Sequence, residues 1–303
     1  MTGMAVNPTA PTYPTRSPYV STWEFQNAPT GVDASQLVPS GSPQQQAAAL
    51  VLQLARASAV ADNLCQKVLA ATLDTQHGRY RIIPDGWLGP TVRVPLDYTP
   101  IVGVTAVSWG WVPGSLTAVA DLSTVDIGKK SVTVPFQPPN TTTTWAPSAV
   151  WRSGHAYVSV QYVNGWANTA LTGAPTGANL PVQNPLGIVP GQQLVLADKT
   201  QSEYVTVADT WVATGSTAPA TVPLTAAPAG TYTVGDTCTA LPQDIKQAVI
   251  LIAKAMIKTQ ASQSYTIPVL GGEPAHPAGL LGPGVSSDYD AAMELLAPYR
   301  RTN

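Results

Sequence analysis

Proline and glycine recur so closely along this chain that few segments can run far without a break. Proline fixes φ and donates no backbone hydrogen bond, and glycine weakens the interior of a helix or strand. With 29 Pro and 24 Gly in 303 residues, the pattern favours short strands and extended connections over a helical bundle. The length still allows a sizeable core without disulfides or metals.

Two helices nevertheless stand out. Ser42 can cap the first, Pro43 suits its first position, and Leu50, Leu54, Ala57, Ala61, Leu64 and Val68 recur every three or four residues. That spacing predicts one apolar stripe on a helix from 43 to about 70. A second helix is expected over 242–263, opened by Pro242, with Asp244 near its positive end. Ile245, Ala248, Val249, Ile252, Ala255 and Met256 form its apolar face, while Lys246, Lys254 and Lys258 fall elsewhere. This helix is placed to pack against the first.

Between them the period changes to two. Val92 and Val94, the β-branched and aromatic run Ile101–Trp111, Ser131–Val134 and Tyr157–Tyr162 read as strands, and Asn164-Gly165 reads as a turn. Gln193–Leu196, Glu203–Val207, Ala220–Leu224 and Asp236–Thr239 read as a second group of short strands. The expected fold class is therefore α+β. Two long packed helices and a short C-terminal helix carry a β-meander or sandwich unit and a second, small inserted β unit.

The expected divisions follow from these elements. Residues 1–20 form an extended N-terminal arm and 21–79 a first helical scaffold part. Residues 80–166 form a β unit, 167–185 a linker, and 186–240 the small inserted β unit. Residues 241–267 complete the helical scaffold, and 268–303 hold a Gly/Pro tether and a docking helix. In that last helix Tyr289, Met293 and Leu296 share one side, with Arg300 at its edge. Such a face can dock on a partner or fold back on its own subunit.

Only 11% of residues are charged and the formal net charge is −2, against about 25% charged residues in an ordinary soluble domain. So little charge suits a chain mostly covered by neighbours, though it also fits a Thr/Pro-rich secreted domain. No apolar run of the export type occupies residues 1–20. The stretch Ala248–Ile257 is interrupted by Lys254 and is too short to span a bilayer.

Chemistry is sparse. His77, His155 and His276 have no second histidine at ligand spacing, and Cys65 and Cys238 read as small buried hydrophobes rather than a disulfide or a metal pair. Phosphate-cradling, dinucleotide and common hydrolase motifs are missing. The carboxylate pairs Asp121/Asp126 and Asp288/Asp290 fit turns and caps better than acid–base work. The run Gln76–Arg81 sets Arg79 and Arg81 beside an aromatic, which makes them a candidate DNA-contacting loop, although two arginines are a weak signal and a solvated loop or an intersubunit contact is the plainer reading. No basic stripe is apparent in the sequence that would grip phosphates strongly. Trp87, Trp109, Trp111, Trp151 and Trp166 lie in or beside predicted strands, as core, interface or a sugar-stacking platform. No catalytic residue, cofactor or metal is expected.

Glu24–Asp33, Leu37-Val38-Pro39, Ala55–Ser58, Asp62–Cys65, Asp85-Gly86, Pro100–Val104, Val160–Trp166, Leu241–Ala248 and Leu295–Arg301 follow one another in an order that resembles head-tail connector proteins of actinobacterial long-tailed phages. The resemblance implies a structural virion protein without catalysis, one that forms a homo-oligomeric, typically dodecameric ring beneath the portal. It further implies contacts with the portal and with a downstream neck or tail-completion protein, a channel for passing DNA, and no membrane. On that footing Tyr289, Met293, Leu296 and Arg300 are expected to dock on the portal. The rivals are a glycan-binding or glycan-degrading particle protein and another neck or tail-completion ring protein.

Overall fold

The computed structural model describes residues 17–34, 37–38, 40–85, 89–135, 154–261 and 285–301. These form thirteen β-strands and four α-helices, so the chain is mostly β. The expected α+β fold, a scaffold of two long packed helices with β units as decoration, is overturned. Helices α2 (Pro43–Cys65) and α3 (Gln243–Ala261) do pack together, but among the described residues strands outnumber helices and hold more of the chain than they do. The first helix stops at Cys65 because Gln66 turns into the left-handed region (φ 54).

The helical unit buries one stripe from each helix. Leu50, Leu54, Ala57, Ala61 and Cys65 of α2 share a core with Ile245, Ala248, Val249 and Ile252 of α3, and each large aliphatic buried there stabilises the fold by about 1.5–3 kcal/mol. Ser42 and Gln45 form a capping box at the start of α2. A short helix α1 (Thr22–Asn27) precedes it with its own box between Ser21 and Glu24. The residues just before α1 are not an arm, because Tyr19 and Val20 are buried in this same core.

The second unit is an antiparallel sheet in the order β4-β3-β7-β1-β2-β6-β5. Its strands are β1 (Thr72–Asp85), β2 (Gly89–Pro95), β3 (Ile101–Val112), β4 (Ser115–Ala118), β5 (Asp126–Ile127), β6 (Ser131–Pro135) and β7 (His155–Asn164). Alternation points Ile82, Val92, Val94, Val107, Val132, Val134, Val158, Val160 and Tyr162 to one side. β5 approaches β3, so the sheet curls around that apolar side without closing. β1 begins at Thr72, inside the range expected to be helical scaffold.

The third unit spans 167–240 and is a closed barrel. It comprises β8 (Asn168–Ala170), β9 (Asn179–Val182), β10 (Gln193–Ala197), β11 (Ser202–Thr206), β12 (Ala220–Pro223) and β13 (Thr237–Thr239). Four strands pair as β11-β10-β13-β8 and two as β12-β9. Single bridges join the two sets, Leu171 to Val182 and Val207 to Leu224, so every strand has two neighbours. Residues 167–185, expected as a linker, supply β8 and β9 of this barrel. Its two ends meet where the Ala240 amide donates to the Ala167 carbonyl at 2.8 Å.

Candidate functional site

The helical unit and the sheet meet at a polar cleft of about 380 Å³ lined by Asp62, Gln66, Lys67, Asp74, Tyr98 and Asn164 among others. Each residue arrives by a local rule. After Gln66 ends α2, the chain turns back beneath the helix, and Asp62 Oδ1 accepts the Leu69 amide at 2.9 Å and the Tyr19 hydroxyl at 2.6 Å. Asn164 ends β7 and is followed by Gly165 (φ +87), where a Cβ would stand 2.7 Å from the Ala70 carbonyl oxygen. Only glycine fits that approach. Asp74 Oδ2 accepts from Asn164 Nδ2 at 2.7 Å and from Thr72 Oγ1 at 2.6 Å.

Lys67 is 9% exposed. Its Nζ donates to the Thr99 carbonyl at 2.6 Å and lies 5.9 Å from the Trp166 ring centre. Burial lowers its pKa, against a charge interaction with Cys65 that raises it. Cys65 is itself pushed up to about 11 by burial, and Cys238 to about 12. Neither thiol has the depressed pKa of a reactive cysteine, and both are free and buried. The carboxylates Asp62 and Asp74 are held by donors from the chain. The cleft therefore works as a hydrogen-bonded joint between helix and sheet, without a paired nucleophile and base.

The C-terminal segment straps the same joint. Helix α4 (Val285–Leu296) lies along α3, where Asp288 meets Lys254 at 2.8 Å and Lys258 at 3.1 Å. Beyond it, Tyr299 packs edge-on against Trp166 with ring centres 5.4 Å apart. The Arg301 amide donates to the Cys65 carbonyl at 2.9 Å, and its guanidinium reaches Asp97 at 3.0 Å over the Tyr98 ring.

This placement corrects the expected docking face. Leu296 is fully buried in its own subunit's core, Tyr289 packs against that core, Met293 is half-buried, and only Arg300 of the four is exposed. An amphipathic helix covers the nearest apolar surface, and α3 supplies it. The tether at 268–283 lies outside the described residues. Arg79 and Arg81 are exposed, but they stand within strand β1 rather than in a loop.

His77 and His155 are exposed strand residues, while His276 lies outside the described residues. Among the described residues no cluster of His, Cys, Asp and Glu could hold a metal ion. Asp121 accepts the Ser123 amide at 2.9 Å and caps a short 3-10 turn. Trp109 belongs to the sheet core, Trp166 packs on the helical core and Trp111 is exposed; Trp87 and Trp151 lie outside the described residues. No helix among the described residues is long and apolar enough to cross a membrane. The joint itself was missed in the sequence, since Lys67, Asp74 and Asn164 form no motif and meet only in the fold. Compared with known proteins, the chain matches no family model, no curated protein and no solved structure.

Proposed function

We propose that this chain is a non-enzymatic structural subunit of a tailed-phage particle. In this reading it is a head-to-tail adaptor that assembles with its own copies into a ring beneath the portal, joins capsid to tail and surrounds the DNA channel. The observation that carries the reading is apolar surface left open on separate elements. Val51 and Leu52 on α2, Val112 at the β3–β4 turn and Ile127 on edge strand β5 are 44 to 59% exposed. A head-to-tail ring needs two different, complementary patches on each subunit. Low charge lets such patches be covered at small desolvation cost. A curled sheet with unpaired edges also offers strands to a neighbour, which the closed barrel does not.

Two further features agree. The ionisable groups of the polar cleft are spent on joining units, and the sequence resemblance to phage connectors runs in order across the chain. Electron cryomicroscopy of the particle that carries this chain tests the reading. A ring of copies between portal and tail supports it, and the chain found in the tail fibre, in the capsid lattice or in no particle overturns it.

A further inference from the structure

The outward face of the curled sheet concentrates positive charge in a chain that is negative overall. Alternation along β1 turns His77, Arg79 and Arg81 outward, and all three are exposed. The antiparallel register sets Ser159, Tyr157 and His155 of β7 directly opposite them. On the other side of β1, Ile83 pairs with Thr91, which places Arg93, two residues on, on the face of Arg81. Arg93 is exposed and steadied by Ser131, whose Oγ accepts from its Nε at 2.9 Å. Three arginines and two histidines thus occupy neighbouring strands.

Counter-charge is sparse on this face. Strands β2, β3, β6 and β7 contain no Asp or Glu; of the two acids of β1, Asp74 is turned into the cleft and Asp85 stands at the far end of the strand, opposite Gly89. Asp126 shares the side through Thr133, two strands away from Arg93. Among the described residues, Arg79 and Arg81 have no ion-pair partner. By contrast Lys246, Lys254, Lys258 and Arg301 are each paired with a carboxylate. The cations that hold the fold and those that face outward are therefore different sets.

We propose that this face, centred on Arg79, Arg81 and Arg93, is a contact surface for the phosphate backbone of double-stranded DNA. It rests on the reading above for the source of that DNA. Arg79 and Arg81 stand about 7 Å apart along the strand, a spacing on the scale of successive charges of a duplex backbone. Guanidinium forks suit phosphate oxygens, and the Tyr157 and Ser159 hydroxyls add neutral donors. A sheet face without a projecting helix or loop meets phosphates rather than base edges, so contact is independent of sequence. Three phosphate contacts give a weak, salt-sensitive grip that lets DNA slide.

Fluorescence anisotropy of a labelled DNA duplex with the full-length chain, across a salt series, tests this. Three contacts predict that log K falls against log salt with a slope of about −2.7, or roughly 40-fold between about 50 and 200 mM. Arg79→Gln alone should flatten the slope by about 0.9, and the triple change at Arg79, Arg81 and Arg93 should flatten it to near zero, with at least about tenfold weaker binding at low salt. The double change Arg56→Gln and Lys199→Gln, at exposed positions outside this face, should leave binding unchanged. Thermal unfolding of all variants should match the parent, because the altered side chains are exposed. Unchanged binding by the triple variant overturns the proposal. So does equal weakening by the control pair, or retention of heparin or an acidic peptide without binding of the duplex. Oligomer mass measured on the same samples separates the two readings. An assembled chain that ignores DNA sinks this inference alone, and a monomer that binds DNA through these arginines sinks the ring alone.

Discussion

Replacing Glu24 with Ala strands a buried lysine. Lys246 Nζ lies 2.6 Å from Glu24 Oε1, and the two side chains are 3% and 16% exposed. The other oxygen of Glu24 accepts the Ser21 amide at 2.8 Å and completes the capping box of α1. Loss of one partner from a buried pair costs about 3–5 kcal/mol, and loss of the cap adds about 1 kcal/mol. Glu24→Ala should therefore destabilise the helical unit by about 4–6 kcal/mol. Lys246→Met removes the more deeply buried charge at similar volume and leaves Glu24, which is 16% exposed and keeps the Ser21 amide, so it should cost less, about 1–3 kcal/mol. In the double variant most of the loss should return, giving a coupling of about 3 kcal/mol. Urea unfolding followed by far-ultraviolet circular dichroism measures all three through the shift in midpoint. A cost below about 1 kcal/mol for Glu24→Ala, or simple additivity of the two changes, refutes the buried-pair reasoning.

Joining Ala167 directly to Ala240 to excise the barrel should leave a folded chain, since the two residues are already hydrogen-bonded; loss of the α2–α3 circular-dichroism signal would show the barrel to be part of the core. Leu296→Ala should lower subunit stability by about 2–5 kcal/mol, because Leu296 is wholly buried against its own chain, and an unchanged urea midpoint would return α4 to the role of a free docking helix. The Asp288 carboxyl is opposed by burial, yet hydrogen bonds and charge from Lys254 and Lys258 hold it below the usual carboxylate range. Its stabilisation of α4 is therefore complete above the ordinary Asp value of about 3.9 and is lost as pH falls through the lower folded-state value. Amide protection in α4, taken relative to the intrinsic exchange rate at each pH, should fall in that acid range, and Asp288→Asn should show the lower protection already at neutral pH.

What could be read from the residues depended on how local the cause was. Ser42, Pro43 and the stripe from Leu50 to Ala61 act within a few turns, so the start and buried face of α2 were legible, as was the alternation of β7 up to the Asn164-Gly165 turn. The barrel was not, because strands of three to five residues are too short to show a period and it closes through single bridges such as Leu171–Val182. Residues 167–185 looked like a linker since glycine and proline mark turns and loose connections alike. Lys246 was set off the apolar face by its charge, yet the fold buries it by bringing Glu24 across from α1. The abundance of proline and glycine was the better guide to fold class than the two helices, whose strong local signals outweighed many weak strand signals.

The claim that the chain works by assembling with itself is tested most directly by its native mass. One chain is 31.5 kDa. The purified full-length protein, examined by native mass spectrometry and imaged by electron cryomicroscopy, should form a closed ring weighing many times that value, and substitution of Val51, Leu52 and Val112 by Ser should shift it toward single subunits without unfolding it. A 31.5 kDa species at every concentration, with or without those substitutions, would contradict the account.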